Sequence, residues 1–435
     1  MLAIGRYHLD WGSADQPPLV PALAALMDTV APGSQPALAS PAALATGCAV
    51  VLAGLIAREF GCDRRAQVVT ALAQATVLWT SLAGHWLTPY ALEPAQWLLL
   101  IWLLIRWVRL RDDRLLIALG CIAGVAALTK LQVILLCSVL VVAVAVAGPR
   151  DLLRRPALWL GAVIAAVIAS PTLIWQQVHG WPQLQMASVV GGEAEALYGG
   201  RGGIAVQLIV FAGVLGVALG GYGLWRLLRD DDMREYRFLA VAFAVLYVMV
   251  VATAGRPYYL VGLYAPLAAA GALGFARRRE HGPARRWPGW LAVAASTALA
   301  SGALVLSVTI TRSDVGEQIA HRTADAFHAL PVDQQQRTAI VGESYIVAAY
   351  LDGYSERFGL PEAHSLNRSY GYFPAPRPEF DSVLYIGRDA APLRDYFDTS
   401  RQIADIGEDL HAFVLTGRRQ SWESIWSHER TLTVS

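Results

Sequence analysis

Long apolar runs recur along most of this chain and then stop. A bilayer core about 30 Å thick is crossed by roughly 20 helical residues, and ten candidate runs lie between residues 39 and 310. The runs are 39–57, 66–84, 92–108, 115–129, 131–147, 157–175, 204–225, 238–254, 258–276 and 288–310. We therefore predict an α-helical polytopic membrane protein with about ten spans.

Composition supports this fold class. Only 16% of the 435 residues are charged and 55% are hydrophobic, whereas soluble domains carry about 25% charged residues. The last 125 residues differ from the rest because apolar strands such as "TAIVG" and "SVLYIG" alternate with helical patterns near 313–330 and 344–357. Further strands are expected at "RQIADIG" and "HAFVLTG". This alternation predicts a small soluble α/β domain.

We expect three regions. Residues 1–38 form a first external loop, stiffened by prolines, with a short interfacial helix near 19–31. Residues 39–310 form a transmembrane catalytic domain, and residues 311–435 form the soluble α/β domain.

Basic residues predict the orientation. Nineteen arginines fall in one set of loops, and four cations (Arg6, Lys130, Arg201, Arg256) fall in the other. The nineteen are Arg58, Arg64, Arg65, Arg106, Arg109, Arg111, Arg114, Arg150, Arg154, Arg155, Arg226, Arg229, Arg234, Arg237, Arg277, Arg278, Arg279, Arg285 and Arg286. Since cytoplasmic loops are enriched in Lys and Arg, we expect the N-terminal stretch, the 175–203 loop and the C-terminal domain outside the cytoplasm.

Ionisable and aromatic residues gather on the predicted outer side. They include Lys130, the only lysine beside thirty-four arginines, in "ALTK" at the tip of a predicted helical hairpin. The others are Asp10, Asp15, His85, Glu93, His179, Arg256, Tyr258 and Tyr259. A charge at membrane depth costs about 2.5–3.5 kcal/mol by insertion scales, so such groups are kept because they pair or act.

The residue types in this set suit one kind of chemistry. Carboxylates accept a proton from a hydroxyl nucleophile, while lysine, arginine and tyrosine hold a phosphate and stabilise its developing charge. Together they predict transfer from a phosphorylated donor to a hydroxyl. The sequence has no nucleotide-binding fingerprint, and we expect no nucleic-acid partner. No tight spacing indicates a metal site, no cofactor is required by the pattern, and a divalent metal stays an open question.

Each of these residues also has a purely structural interpretation. Lys130 near an interface could extend its ammonium to water. Glu93 could cap a helix beginning at Pro94. Asp15 could shape the turn before two prolines, Arg256 and the tyrosines could be interface anchors, and His85 and His179 could be structural.

Several stretches in fixed order resemble one enzyme group. "WGSADQPPLVP" before multiple spans is similar to the first external loop of GT-C membrane glycosyltransferases that use polyprenyl-phosphate sugars, of the ArnT and protein O-mannosyltransferase type. The resemblance continues through "ALTK", "PTLIWQQVHGWPQL" (171–184) and "GRPYYLVGLYAPLAAAG" (255–271). The tail segment "VGESYIVAAYLDGYSERFGLPEAHS" is similar to bacterial members, so the match extends over nearly the whole chain.

The resemblance implies an inverting transferase in a bacterial plasma (inner) membrane. Its donor is a sugar on undecaprenyl or decaprenyl phosphate, and its acceptor is a hydroxyl of a lipid, glycan or protein on the outer side. Asp15 matches the family's aspartate before the proline pair, and Glu93 matches a second acidic or polar residue at the start of a span. We therefore predict the catalytic residues Asp15 and Glu93, the donor phosphate-binding residues Lys130, Arg256, Tyr258 and Tyr259, and the substrate-loop residues Gln16, His85, His179 and Trp181.

Two features of this chain depart from the family pattern. Gln16 stands where some members have a lysine suited to the donor phosphate, which favours Lys130 and Arg256 for that role. Family members also have a first helix and an Asp-Glu pair that should precede residue 1. We expect that Met1 is a mis-assigned start, with an inactive truncated transferase as the alternative.

A transporter or lipid flippase is the alternative from another class. Transporters often consist of two related halves with broken helices near the midplane. The sequence has no evident internal duplication, and its polar groups gather on one predicted side. These features favour the enzyme.

Overall fold

A computed structural model describes residues 1–280, 287–311 and 314–433. Arg285, Arg286 and the first residue of the predicted 313–330 helix lie outside these ranges. The α-helices are α1 (Leu2–Tyr7), α2 (Leu19–Val30), α3 (Gln35–Glu59), α4 (Arg64–Ala75), α5 (Leu78–Ala83), α6 (Pro89–Leu110), α7 (Arg114–Ala127), α8 (Gln132–Ala147), α9 (Pro156–Val178), α10 (Pro182–Gly192), α11 (Ala194–Tyr198), α12 (Gly200–Val210), α13 (Gly213–Arg229), α14 (Arg237–Ala252), α15 (Tyr264–Glu280), α16 (Trp287–Thr311), α17 (Val315–His328), α18 (Val332–Gln335), α19 (Tyr345–Gly353), α20 (Ser355–Phe358), α21 (Ala391–Arg394) and α22 (Trp422–Glu429). The strands are β1 (Thr338–Gly342), β2 (Ala363–His364), β3 (Ser382–Gly387), β4 (Phe397–Gly407) and β5 (Leu410–Arg418).

Every predicted apolar run is mostly helical. Seven runs correspond to one helix each, and the run 258–276 begins with a turn and a short 3-10 segment (Val261–Leu263) before α15. Two runs are broken: 66–84 into α4 and α5, and 204–225 into α12 and α13. The second pair is bent by 91° and its break ends at Gly213, whose φ of 72° suits glycine. The two breaks meet, because the Leu78 amide donates to the Phe211 carbonyl at 2.9 Å.

Within the described residues, five helical segments, beginning at Gln35, Pro89, Pro156, Asp231 and Trp287, are long and apolar enough to cross a membrane, or six if the bent pair counts as one span. Three shorter apolar helices are α2, α7 and α8. The chain is a multi-pass helical membrane protein.

The chain divides into two compact units. A helical unit comprises Gln16–His179 and Val190–Thr311, and an α/β unit comprises Met1–Asp15, Gly180–Val189 and Arg312–Ser435. The α/β unit therefore combines the tail with the first fifteen residues and a short internal segment, whereas the regions predicted from the sequence were 1–38, 39–310 and 311–435.

Glycines let helices of the helical unit approach closely. Gly223 of α13 faces α15, where a Cβ at Gly223 would lie 1.8 Å from the Leu267 carbonyl oxygen. Gly120 of α7 faces α9 in the same manner, because a Cβ at Gly120 would lie 2.2 Å from the Gly161 carbonyl oxygen. Small residues at such contacts allow the backbone-to-backbone packing that associates helices within a membrane.

The α/β unit is built on a five-stranded mixed sheet in the order β2-β1-β3-β5-β4. The strands β2, β1 and β3 run parallel, and β5 pairs antiparallel with β3 and β4. Both central parallel strands, β1 and β3, are buried throughout. Residues of α17 and α19 pack on one face, and Trp422, Ile425 and Trp426 of α22 pack on the other. The small α/β domain predicted from the sequence is confirmed.

The N-terminal helix α1, which the sequence pattern missed, belongs to this unit. His8 follows it, lies 2.8 Å from the Glu362 carboxylate and stacks on Phe373 with ring centroids 3.9 Å apart. The Tyr7 hydroxyl is 2.7 Å from the Ser355 hydroxyl. A six-residue helix is not stable by itself, so these contacts hold it in place.

A buried carboxylate joins α19 to the sheet. Asp352 accepts hydrogen bonds from the Ala363 amide at 2.8 Å and from the Tyr370 hydroxyl at 2.7 Å. Burial raises its pKa from 3.8 to about 6, although both hydrogen bonds favour the charged form.

We expect the free energy of unfolding of the Asp352→Asn variant to depend less on pH than that of the wild type. Because the folded pKa lies above the unfolded value, this carboxyl group stabilises the fold at low pH, and its contribution is lost as the pH rises through about 6. The loss between pH 5 and pH 8 is about 1 kcal/mol. Thermal unfolding of the purified full chain at both pH values measures it. Asp389→Asn, at an exposed turn carboxylate, is the matched control, and identical pH profiles for wild type and Asp352→Asn would contradict the assignment.

Candidate functional site

Lys130 lies between α7 and α8, at the tip of the predicted hairpin. Its amide donates to the Ala126 carbonyl at 2.9 Å, which continues the turn that ends α7. The preceding Thr129 is fully buried, and its hydroxyl accepts a hydrogen bond from Gln96 of α6 at 2.7 Å. These contacts fix the hairpin tip against α6.

The Lys130 ammonium lies between two tyrosine rings. Its nitrogen is 4.2 Å from the ring centroid of Tyr90 and 4.0 Å from that of Tyr259, which is cation–π geometry. The nitrogen is buried, and within the described part of the chain it has no hydrogen-bond partner. The side chain therefore does not extend to water, and its three donors are unused.

Further aromatic side chains contact the two tyrosines beside the lysine. The Tyr258 ring lies 4.6 Å from Tyr90 and meets Tyr259 edge-on at 5.4 Å. Trp79 stacks on Tyr258 with ring centroids 4.0 Å apart. A small cleft beside this cluster is lined by Thr46, Ala49, Trp79, Thr80, Gly84, Tyr90, Ala91 and Pro94.

Glu93 interacts electrostatically with Lys130. The helix α6 begins at Pro89 with Thr88 at its N-cap, so the interpretation of Glu93 as the cap of a helix starting at Pro94 is wrong. Glu93 is 6% exposed, and its Oε1 has no hydrogen-bond partner among the residues described. A buried carboxylate beside a buried ammonium balances its charge.

Arg256 is held by residues that the sequence analysis missed. Its Nη2 donates a short hydrogen bond to Glu193 Oε2, and its guanidinium lies 5.4 Å from the Tyr198 ring centroid. The Arg256 side chain is 12% exposed, and its buried Nη1 finds no hydrogen-bond partner within the described ranges. Both partners, Glu193 and Tyr198, lie in "GGEAEALYGG". The two glutamates between glycine pairs are the sequence feature that could have indicated a functional segment here.

Three predicted substrate-loop residues, Gln16, His85 and His179, belong to the helical unit. His85 has a half-buried ring next to Trp86, at 6.1 Å between centroids. Gln16 is 7% exposed. His179 ends α9, where its Nδ1 is 2.8 Å from the Trp175 carbonyl oxygen and its ring stacks on Trp175 at 3.9 Å. These two contacts give His179 a structural function at the helix end.

Asp15 and Trp181 belong to the α/β unit. Asp15 Oδ2 accepts hydrogen bonds from the Ser369 amide at 3.1 Å and from its hydroxyl at 2.6 Å, while Arg368 Nη1 lies 3.7 Å from Oδ1. Arg368 has a φ of 54°, which is rare for an arginine. The stretch "LNRSYGY" carries no sequence pattern that indicates either partner. Trp181 is half-buried and also has a positive φ, of 58°.

The cluster in the helical unit is suited to bind an oxyanion. Lys130 and Arg256 interact electrostatically, and each carries buried donors without a hydrogen-bond partner among the described residues. Unpaired buried donors cost free energy, which a ligand with several acceptor oxygens removes. Among the residues that the structure describes, no group of three His, Cys, Asp or Glu side chains is placed to hold a metal.

The fold has known relatives. It is similar to ArnT from Cupriavidus metallidurans in the apo state, with 15% identity over 92% of this chain and 88% of that chain and a TM-score of 0.64. The chain has the GT-C fold. ArnT from the same organism bound to undecaprenyl phosphate aligns with a TM-score of 0.60 and 16% identity over 95% of this chain and 91% of that one.

A third GT-C structure and a family model agree with this result. The oligosaccharyltransferase of Archaeoglobus fulgidus, solved with zinc and sulfate, aligns at a TM-score of 0.52 and 14% identity over 95% of this chain and 67% of that chain. Residues 15–175 match the family model of dolichyl-phosphate-mannose-protein mannosyltransferases. No curated protein matches the chain by sequence. The predicted resemblance to GT-C glycosyltransferases is confirmed.

The family match includes only some of the candidate residues. Asp15, Glu93 and Lys130 fall inside residues 15–175, whereas Arg256 and the Tyr258–Tyr259 pair lie beyond them. Within the helical unit, Lys130 contacts Tyr259.

Proposed function

We propose that this chain transfers a sugar, with inversion, from a polyprenyl-phosphate donor to an acceptor hydroxyl on the outer side of a bacterial plasma membrane. The observation that carries the proposal is the buried Lys130 ammonium between Tyr90 and Tyr259, whose hydrogen-bonding capacity no described side chain uses. A GT-C relative solved with undecaprenyl phosphate supports a polyprenyl-phosphate ligand for this site.

In the proposed reaction the protein stabilises charge on the leaving phosphate. The bond between the anomeric carbon and the phosphate oxygen breaks, and its electron pair stays on that oxygen. A new bond forms from the acceptor oxygen to the anomeric carbon, and the acceptor proton passes to a carboxylate. Lys130 and Arg256 are the cations proposed to hold the phosphate, and preorganised donors of this kind lower the barrier where charge develops. Tyr258 and Tyr259 complete the proposed phosphate pocket.

The two predicted catalytic carboxylates receive different roles. We assign Glu93 to stabilising the charged form of Lys130, its neighbour in the buried cluster. We assign Asp15 to the sugar or the acceptor, with Ser369 and Arg368 holding its carboxylate in one orientation. Gln16, His85 and Trp181 stay proposed substrate-loop residues. His179 is also kept as a proposed substrate-loop residue, and Trp175 contacts both its Nδ1 and its ring face.

The arginine distribution supports the proposed orientation. Arg106 and Arg109 at the end of α6 both pair with the buried Glu59 at the end of α3, at 2.8 and 2.7 Å. Arg226 at the end of α13 pairs with Asp230 at 2.6 Å. We place these helix ends in the cytoplasm, and the α/β unit outside it. A lipid, a glycan or a protein supplies the acceptor hydroxyl.

Transfer by the purified protein tests the proposal. The lipid that co-purifies with the chain is extracted and weighed by mass spectrometry, and the corresponding polyprenyl phosphate carrying a radiolabelled sugar is supplied in detergent with membrane-extracted acceptors. We expect label to leave the lipid and appear in an acceptor. A transporter or flippase would move the intact lipid across vesicles and release no sugar, and that result would reject the transferase.

A further inference from the structure

The partner of Arg256 is itself an anion, so this partner and a bound phosphate would need the same guanidinium. Glu193 Oε2 accepts the hydrogen bond from Arg256 Nη2, so it occupies a position that a phosphate oxygen would take on the same guanidinium. A carboxylate and a phosphate present similar acceptor oxygens to arginine. Nη1 of Arg256 is buried and has no hydrogen-bond partner within the described residues. One of the two terminal nitrogens of the guanidinium can therefore still donate to a ligand.

Formal charges in the cluster are balanced before any ligand binds. Lys130 and Arg256 contribute two positive charges, and Glu93 and Glu193 contribute two negative charges. A polyprenyl-phosphate sugar adds one negative charge, and the product polyprenyl phosphate carries about −1.5 to −2, as phosphate monoesters do near pH 7. Either ligand leaves the cluster with excess negative charge unless one carboxylate withdraws. Glu93 is 6% exposed and lies within α6, so Glu193 is the carboxylate with room to move.

The backbone around Glu193 permits such a movement. Glu193 precedes the five-residue helix α11, with Gly191 and Gly192 before it and Gly199 and Gly200 after that helix. Gly199 and Gly200 have φ values of 70° and 66°, and glycine pairs of this kind absorb backbone rotation at a hinge. The Glu193 side chain is 29% exposed, so water is available to solvate the carboxylate when it leaves Arg256.

We propose that Glu193 competes with the lipid phosphate for Arg256 and exchanges with it once in each turnover. The donor displaces Glu193 from the guanidinium on binding. After transfer, the return of Glu193 to Arg256 weakens the hold on the more highly charged polyprenyl phosphate and promotes its release. This inference rests on the proposed function and adds a residue that governs product release.

The test is the affinity of the full chain in detergent for tritiated undecaprenyl phosphate, with the wild type, Glu193→Gln and Glu195→Gln compared. Glutamine keeps the size of the side chain but removes the competing charge. We expect Glu193→Gln to bind about tenfold more tightly, the factor that corresponds to losing one modest charge-assisted competitor. Glu195 is exposed on α11, so Glu195→Gln is the matched control and should bind as the wild type does.

A purely supporting role for Glu193 predicts the opposite result. If Glu193 only orients Arg256, Glu193→Gln will bind the lipid more weakly, and that outcome, or an unchanged affinity, overturns the inference. Adding Arg256→Gln to Glu193→Gln should erase the gain, since the competition takes place on that guanidinium. A wild-type chain that does not bind undecaprenyl phosphate at all would reject the proposed function together with this inference.

Turnover gives a second readout. We expect Glu193→Gln to show a lower kcat and stronger inhibition by added undecaprenyl phosphate, with a single-turnover rate close to that of the wild type. A change in the single-turnover rate without a change in product inhibition would contradict a role in release.

Discussion

Replacing Lys130 by methionine will reduce sugar transfer by about 10³-fold while the chain still folds and inserts. The reason is that the ammonium lies between Tyr90 and Tyr259 with no hydrogen-bond partner among the residues described, so its donors are available to the phosphate. Loss of one preorganised donor to a developing oxyanion typically costs 10²–10³-fold in rate. Methionine has a similar length and is apolar, so the hairpin tip is not disrupted sterically.

The measurement is transfer of labelled sugar from the lipid, with the amount of detergent-extracted protein and its elution profile recorded in parallel. Arg201→Met is the matched control, because Arg201 is an exposed cation of the helical unit that donates to the Ala252 carbonyl at 3.2 Å. We expect Arg201→Met to retain transfer within about threefold of the wild type. Near-normal transfer by Lys130→Met would remove this lysine from the proposed mechanism.

Lys130→Arg separates charge from shape at the same position. A guanidinium also stacks on tyrosine rings, but it is wider than an ammonium, and the site between Tyr90 and Tyr259 holds one cation about 4 Å from each ring centroid. We expect transfer intermediate between the wild type and Lys130→Met.

The Gly223→Val variant will fail to accumulate as a monodisperse protein. A Cβ at Gly223 would lie 1.8 Å from the Leu267 carbonyl oxygen and 2.7 Å from the Gly271 amide nitrogen, and all of these atoms belong to backbone that cannot rotate away. The helices α13 and α15 must therefore separate. Overpacking of a close contact costs about 1–3 kcal/mol even when side chains can adjust, and a contact between backbones exceeds that range.

Gly221→Val is the matched control, two residues earlier in the same helix. A Cβ at Gly221 meets no atom within 4 Å, and the residue is exposed. Both substitutions change helix propensity equally. A difference in stability between the two variants therefore reports the contact with α15. Size-exclusion profiles after detergent extraction and the unfolding temperature measure the effect. If both variants extract and unfold like the wild type, the close approach of α13 and α15 does not exist in the folded protein.

Apolar run length was sufficient to predict the helices of the membrane region. Each of the ten runs is mostly helical because unpaired backbone groups are too costly inside a bilayer. Hydropathy could not show that the runs at 66–84 and 204–225 are broken, since a break satisfied by another segment, as Leu78 does with Phe211, leaves composition unchanged. The alternation of strands and helices in the tail likewise predicted β1, β3, β4 and β5 but not the two-residue strand β2.

The sequence by itself determined the class of protein and the helical hairpin that carries Lys130, because both depend on local patterns of apolar residues. Only the tertiary structure decided which groups meet: Lys130 with Tyr90 and Tyr259, Arg256 with Glu193, and Asp15 with Ser369. These partners are separated by 40 to 354 positions along the chain. A local pattern carries no information about such distances, since the packing of helices and strands sets them.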